Sequence, residues 1–440
     1  MQQQQLHEQL TLQVAHHDQV LYGLNGPISS ITLVANWTER STAMLKAAVQ
    51  RVVDANPFIA GALEERGGSL YVVARVHKTF MMEIEGPADF APPAATIDAV
   101  ASVQAILEQL FEPHCLGNMD AQRDSKSRLF QVILMRLPND HVAYVVQLSH
   151  ILGDGYSYYQ LLKAINCAVN GEKMPSLTWK ASPESVPLPS VWSEAEKDLL
   201  MKRWMSAYVE NCNRWAPGSL DARKGSVHVI EPACVADLKA ELKASCTANG
   251  VPFLSTNDLI TAGLAELCDP KALLIMVANL RERVPEAANG VGGNFERCIH
   301  LPAEKATEPT FVRRLLRDSN WLYFGVDGNP RLDADGPKQA ISSASLSAVT
   351  NWSNLTYMIT PPNTRVCCHC PSAAFVTCVA GIDVSVIFKA DKEDTLLVLC
   401  NHLVGTRGSQ IAQRVRDSKI FRRLVKLPTR EEGMHKLVGE

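Results

Sequence analysis

Hydrophobic and polar positions alternate along the chain with periods that mark out strands and helices of ordinary length. Residues 28–37 read as a strand. Leu45, Ala48, Val49, Val52 and Val53 then recur at helical spacing, which predicts a helix over 41–54, capped by Ser41 and stopped at Asn56-Pro57. Short strands are expected at 58–63 and 70–76, followed by a Pro- and Ala-rich loop at 86–96 and a helical pattern at 97–110. Strands at 129–137 and 141–149 flank the turn Pro138-Asn-Asp140. The second carries the nearly unbroken apolar run Val142-Ala-Tyr-Val-Val146, which places it in the middle of a sheet. A helix at 156–169 follows it.

Residues 174–189 are rich in proline and poor in periodicity, the composition of a connection between domains, and a helix at 193–215 completes the crossover. The pattern then restarts with a strand at 226–230 and a helix at 233–248. Ser255-Thr-Asn-Asp258 opens a further helix at 259–267, its side chains supplying acceptors for the first amides. A strand at 272–278 leads to Asn279-Leu-Arg-Glu-Arg283 and to the glycine-dense turn Gly290-Val-Gly-Gly-Asn-Phe295. Helices at 309–323 and 339–346, strands at 349–359, 373–379, 384–388 and 395–399, and a helix at 409–425 close the chain. Both halves mix helices and strands at similar lengths, so two α/β lobes of related build are expected: an N-terminal lobe over 1–175, a crossover over 176–220 and a C-terminal lobe over 221–440.

Composition narrows the function. Forty-three Lys and Arg against 46 Asp and Glu give a net charge of −3, which offers no field for a polyanion, so nucleic acid is not an expected partner. No apolar run approaches the ~18 residues of a membrane span, and the N-terminus lacks the basic and apolar regions of a secretory signal. Twelve cysteines without framework spacing fit reduced thiols and a cytoplasmic address. Cys367-Cys-His-Cys370 lacks the two-residue spacing of structural zinc sites, so a loop of reduced thiols is expected there and no bound metal. The basic stretch 414–430 is interleaved with Ile420, Phe421, Leu424 and Val425, the pattern of an amphipathic terminal helix.

The candidate chemistry sits where the apolar run of 142–146 ends. His150 closes the strand, and Asp154-Gly155 reverses the chain behind it, glycine tolerating the positive φ that a tight turn demands. An imidazole held on rigid backbone near its ordinary pKa is a general base at neutral pH, and a direct transfer needs no nucleophilic Ser or Cys.

His150-Ile-Leu-Gly-Asp-Gly155, with Ser157 and a helix behind it, resembles the HxxxDG motif of the acyl-CoA-dependent acyltransferase superfamily. That superfamily includes chloramphenicol acetyltransferase, the plant BAHD transferases, fungal trichothecene and alcohol acetyltransferases, and nonribosomal condensation domains. The segment from Leu45 to Phe58 is similar to its first helix and proline turn. Ser255-Thr-Asn-Asp-Leu259 resembles its STNDxL helix start, Asn279-Leu-Arg-Glu-Arg283 its NxRxR segment, Gly293-Asn294 its GN turn, and Val349-Thr-Asn-Trp-Ser353 its TSW-like strand, all in the family's order and over nearly the whole chain. Two positions depart from relatives: residues 355–365 stand where plant BAHD enzymes carry DFGWG, and Ser149 stands where condensation domains carry a second histidine.

The resemblance implies an α/β fold of two chloramphenicol acetyltransferase-like lobes, each a mixed sheet with helices, with a channel between them. It implies a monomeric O- or N-acyltransferase with acyl-CoA as co-substrate, no permanently bound cofactor and a small-molecule alcohol or amine as acceptor. His150 would be the general base. Asp154 would point away from the substrate and brace the turn by pairing with Arg281 or, failing that, Arg283. Thr350 would offer its hydroxyl to the developing oxyanion, with Asn351 or Trp352 as substitutes at the substrate site, while Gly155 and Asn294 support the geometry. Two alternatives stay open: a donor carried by a carrier protein, and a non-catalytic acyl-CoA-binding homologue.

Overall fold

The strands of the N-terminal half are β1 (Thr11–Gln13), β2 (Ile28–Ala35), β3 (Gly61–Arg66), β4 (Ser69–Ala74), β5 (Met81–Glu85), β6 (Phe130–Leu137) and β7 (His141–Leu148), with helices α1 (Glu39–Ala55) and α2 (Gly155–Val169). After β8 (Thr178–Trp179), the C-terminal half supplies β9 (Arg223–Val229), β10 (Leu273–Asn279), β11 (Val291–Gly292), β12 (Glu296–Pro302), β13 (Leu346–Asn351), β14 (Arg365–Pro371), β15 (Ile382–Lys389) and β16 (Leu396–Leu403). Its helices are α3 (Pro232–Glu241), α4 (Lys243–Ala248), α5 (Thr256–Leu267), α6 (Ala303–Ala306), α7 (Pro309–Asp318) and α8 (Phe421–Leu424). This computed structural model describes residues 11–14, 27–74, 80–90, 103, 106, 110, 128–180, 223–270, 272–281, 288–318, 346–371, 382–403 and 413–425. The expected helix at 193–215 and strand at 373–379 lie outside the described residues, as does most of the pattern at 97–110.

Two large sheets carry the fold. The first has the order β14-β2-β7-β6-β5 and the second the order β12-β10-β13-β15-β16-β9. In the first, β5 and β6 run parallel and the other pairs antiparallel. In the second, β10, β13 and β15 form a parallel centre with antiparallel strands outside it. Every residue of β2 is buried and all but the first of β7, as expected of inner strands covered on both faces. The helix α1 buries Leu45, Ala48, Val49, Val52 and Val53. It packs beside α2, to which Arg51 donates a hydrogen bond at the Ala168 carbonyl.

The structure corrects three local expectations. The cap of α1 is Thr38 rather than Ser41, because the helix begins two residues earlier and the Thr38 hydroxyl accepts the Ser41 N–H at 3.2 Å. The strand expected at 349–359 ends at Asn351, whose side chain accepts from Ser353 N at 2.9 Å and turns the chain. Most consequentially, Cys367-Cys-His-Cys370 is not a loop. It forms β14, which leaves the C-terminal half to pair with β2 as the edge of the N-terminal sheet, with a bulge between Val366 and Cys368. The side chains of Cys368, His369 and Cys370 are fully buried there.

Candidate active site

The strand β7 delivers His150 to the seam between the two sheets. Ser149 N donates to Leu129 O at 2.7 Å and Leu152 N to Ser149 O at 2.9 Å, so the backbone on either side of the histidine is fixed. The imidazole is 5% exposed. The other half of the chain reaches it from one short segment. Asn294 Nδ2 donates to the His150 carbonyl at 2.8 Å, and Glu296 Oε1 lies 3.8 Å from His150 Nε2.

Asp154 caps α2. Its Oδ1 accepts from Ser157 N at 2.9 Å, which satisfies one of the orphan amides at the helix start. Its Oδ2 accepts from Arg281 Nη1 at 2.6 Å and from Phe295 N at 2.9 Å. The carboxylate therefore faces the protein interior and braces the turn. Arg281 in turn commits all five N–H donors of its guanidinium. Besides Asp154, they reach Val291 O at 3.0 Å, Asn279 Oδ1 at 3.2 Å, Ser157 Oγ at 3.1 Å and Gly293 O at 3.0 Å. The guanidinium carbon also lies 4.1 Å from the centroid of the Tyr156 ring, a cation–π contact. Arg283 lies outside the described residues.

The two glycine positions have different physical reasons. Gly155 does not take a positive φ; a Cβ there would stand 2.9 Å from Trp352 Nε1, so the glycine admits the indole against the first turn of α2. This replaces the turn argument made from sequence. Gly293 does need glycine, having φ 126° and the Lys180 carbonyl where a side chain would be. That carbonyl is held in place because β8 pairs with β11, and Lys180 N donates to Gly292 O at 3.0 Å.

Thr350, Asn351 and Trp352 come from the end of β13. Thr350 is buried, beside Val386 of the neighbouring strand. Asn351 ties β13 to the start of α5 by donating to Asn257 Oδ1 at 2.8 Å, and its own oxygen accepts from Ser353 N and Oγ. Trp352 is 4% exposed and sits edge-on to Tyr159 of α2, with ring centroids 5.9 Å apart. Among the described residues, no group of three or more His, Cys, Asp or Glu side chains is placed to hold a metal.

The structure thus brings His150, Asp154, Gly155, Arg281, Asn294 and Trp352 into one region across the seam. Sequence reasoning missed Tyr156, Asn279 and Glu296, and gave Ser157 no role of its own. Asn279 opens the NxRxR segment and was legible in principle. Nothing in the sequence marks Glu296, whose place depends on β12 lying beside the His150 turn. No helix of the described residues is long and apolar enough to cross a membrane.

No known family profile and no curated protein sequence matches the chain. Solved structures do match in fold. The TRI101 protein of F. sporotrichioides, in complex with coenzyme A and T-2, aligns over 94% of this chain and 99% of its own at a TM-score of 0.61 and 10% identity. Vinorine synthase aligns over 94% of both chains at a TM-score of 0.58 and 14% identity. The first condensation domain of the CDA synthetase aligns over 96% of this chain and all of its own at a TM-score of 0.55 and 13% identity. With these structures this chain shares the two-lobed chloramphenicol acetyltransferase-like α/β fold, the fold of the acyl-CoA-dependent acyltransferase superfamily whose motifs its sequence resembles.

Proposed function

We propose that the protein transfers an acyl group from coenzyme A to a hydroxyl or amine of a small-molecule acceptor, with His150 as the general base. The observation that carries this reading is the clamp on the His150 turn: a strand-borne imidazole whose carbonyl is held by Asn294 and whose following Asp154 is locked to Arg281. Such fixation from the opposite lobe is what a base needs to meet its substrate in one geometry. His150 Nε2 takes the acceptor's proton as the acceptor attacks the thioester carbonyl, and returns it to the departing thiolate. Thr350 donates its hydroxyl to the oxyanion that forms between those events. Asp154 makes no contact with substrate in this scheme and holds the turn. The TRI101 structure with coenzyme A bound supports the choice of donor.

A carrier-protein thioester is the second reading, supported by the likeness to a condensation domain. Offering acyl-CoA and acyl-carrier donors to the same preparation separates the two. The central test is His150→Ala assayed by mass spectrometry with several acyl-CoA donors. The variant is expected to keep the wild-type circular dichroism spectrum and to lose about a hundred- to ten-thousand-fold in transfer rate. Full activity in the variant would remove His150 from the chemistry.

A further inference from the structure

The connection between the halves begins with a buried tryptophan that the chemistry above leaves without a role. Trp179 is the second residue of β8 and is 8% exposed. Its backbone runs beside β11, with Gly292 as its partner in the parallel register. Thr178 N donates to Gly290 O and Lys180 N to Gly292 O, each at 3.0 Å. On the other side Trp179 Nε1 donates to Asn56 Oδ1 at 3.3 Å, and Asn56 is fixed at the end of α1 by donating from Nδ2 to Val52 O at 2.8 Å. The short strand β8 is thus anchored on both halves of the chain.

The indole fills a gap between two glycine backbones. A Cβ on Gly292 would stand 3.0 Å from Trp179 Cδ2 and 3.2 Å from Cε3, inside the optimal carbon–carbon separation of about 3.5–4 Å. A Cβ on Gly153 would stand 3.4 Å from Trp179 Cζ3 and 2.7 Å from Ser157 Cβ. Gly153 directly precedes Asp154 in the turn that carries His150. Gly292 directly precedes Gly293, whose carbonyl accepts from Asp154 N at 3.3 Å, from Ser157 Oγ at 2.8 Å and from Arg281 Nη2 at 3.0 Å. The ring therefore stands between the turn that bears the base and the loop that clamps it. The hydrogen bonds of the clamp draw the two together and tolerate some range in length and angle. A ring packed between two backbones does not compress.

We propose that Trp179 is a positioning residue for the acyl transfer: its indole sets the separation between the His150 turn and the residues from Gly292 to Asn294, and through it the aim of the imidazole. The proposal rests on the acyl-transfer reading above, in which Trp179 touches no reacting atom. A base displaced by about 1 Å loses on the order of a hundredfold in rate. Substrate binding is not what the ring controls, so its loss belongs in kcat and not in KM.

The test uses the full-length protein and three substitutions. Trp179→Phe keeps a flat ring without the N–H, Trp179→Leu removes the ring, and Gly292→Ala presses a methyl group against it. Acetyl-CoA and the best acceptor from a panel of alcohols and amines supply the assay. Trp179→Leu and Gly292→Ala are each expected to lower kcat about ten- to a hundredfold, with KM for both substrates within about threefold of the wild type. Trp179→Phe should retain most of the wild-type kcat. In the double variant of Trp179→Leu with Gly292→Ala the two losses should not multiply, since the methyl group then meets no ring. Losses that multiply, a loss that falls on KM alone, or wild-type kcat in Trp179→Leu would each overturn the proposal. The histidine ring signals in the NMR spectrum need no substrate and so separate this from failure of acyl transfer itself, His150 being assigned by its absence in His150→Ala. If no thioester is turned over, His150 signals that move in Trp179→Leu while those of His369 stay in place still support the positioning role, and unmoved His150 signals overturn it. Should circular dichroism show Trp179→Leu unfolded, Gly292→Ala decides alone by the same kcat, KM and NMR criteria.

Discussion

Arg281 and Asp154 form a pair whose side chains are 1% and 3% exposed, and every donor and acceptor they own has a partner. Removing one member of such a pair leaves the other buried with its charge uncompensated, at a cost of about 3–5 kcal/mol. Arg281→Gln and Asp154→Asn are each expected to lower the free energy of unfolding by that order, and the double substitution by clearly less than the sum, since it leaves no lone charge. Urea denaturation of the four proteins measures this, and strict additivity would contradict the coupling. The pairing was readable from sequence as a choice between Arg281 and Arg283, because the motifs appear in a family order. The reason for Gly155 was not readable, because the indole that fills its side-chain space comes from Trp352 in the other half of the chain. Local turn chemistry suggested a positive φ; a distant packing contact decided the residue.

At the scale of elements, β14 is where sequence and structure part. Its short run of Val366, two cysteines, His369 and Cys370 is weakly apolar and interrupted by an ionisable residue, so periodicity marks no strand. What makes it one is the edge of β2, whose Ser30 and Thr32 point polar groups into the core. Ser30 Oγ meets Tyr158 OH at 2.6 Å, while His369 bridges Thr32 Oγ1 at 2.8 Å and Tyr159 OH at 3.0 Å. A buried imidazole with both nitrogens hydrogen-bonded to hydroxyls is held neutral, and burial depresses its pKa from 6.5 to about 3. The sign follows from which state takes the proton. Between pH 6.5 and about 3 the unfolded chain protonates this histidine and the folded protein does not. The His369 contribution to stability is therefore complete above pH 6.5 and is lost as pH falls, by about 1.4 kcal/mol per pH unit. Unfolding free energies of the wild type and His369→Gln at pH 7, 6 and 5 should show the shallower decline in the variant. Parallel declines would place the proton elsewhere.

On the whole molecule, the same strand changes what the two halves are to each other. The N-terminal sheet is not complete without residues 365–371. The segment before β14 also crosses over: the Tyr144 hydroxyl bonds both the N–H and the carbonyl of Ile359, and Asn166 Oδ1 accepts from Thr360 N at 2.8 Å. In the opposite direction, β8 pairs with β11 beside the Gly293 turn, and Arg281 closes on Asp154. The proposed base on one lobe and its clamp on the other stay in register only if such ties outlast local opening, which gives strand exchange a direct bearing on the proposed chemistry. These ties among the described residues are expected to hold the halves together even when the covalent connection through residues 181–222 is cut. A protease site placed within that stretch and cut in the folded protein should leave two fragments that co-elute on size exclusion at the position of the intact chain. They should separate only in denaturant, and the nicked protein should match the intact chain in the proposed acyl transfer. Fragments that part under native conditions would show instead that the exchanged strand and the buried pair are too weak to hold the site, and that the chain between the lobes does so.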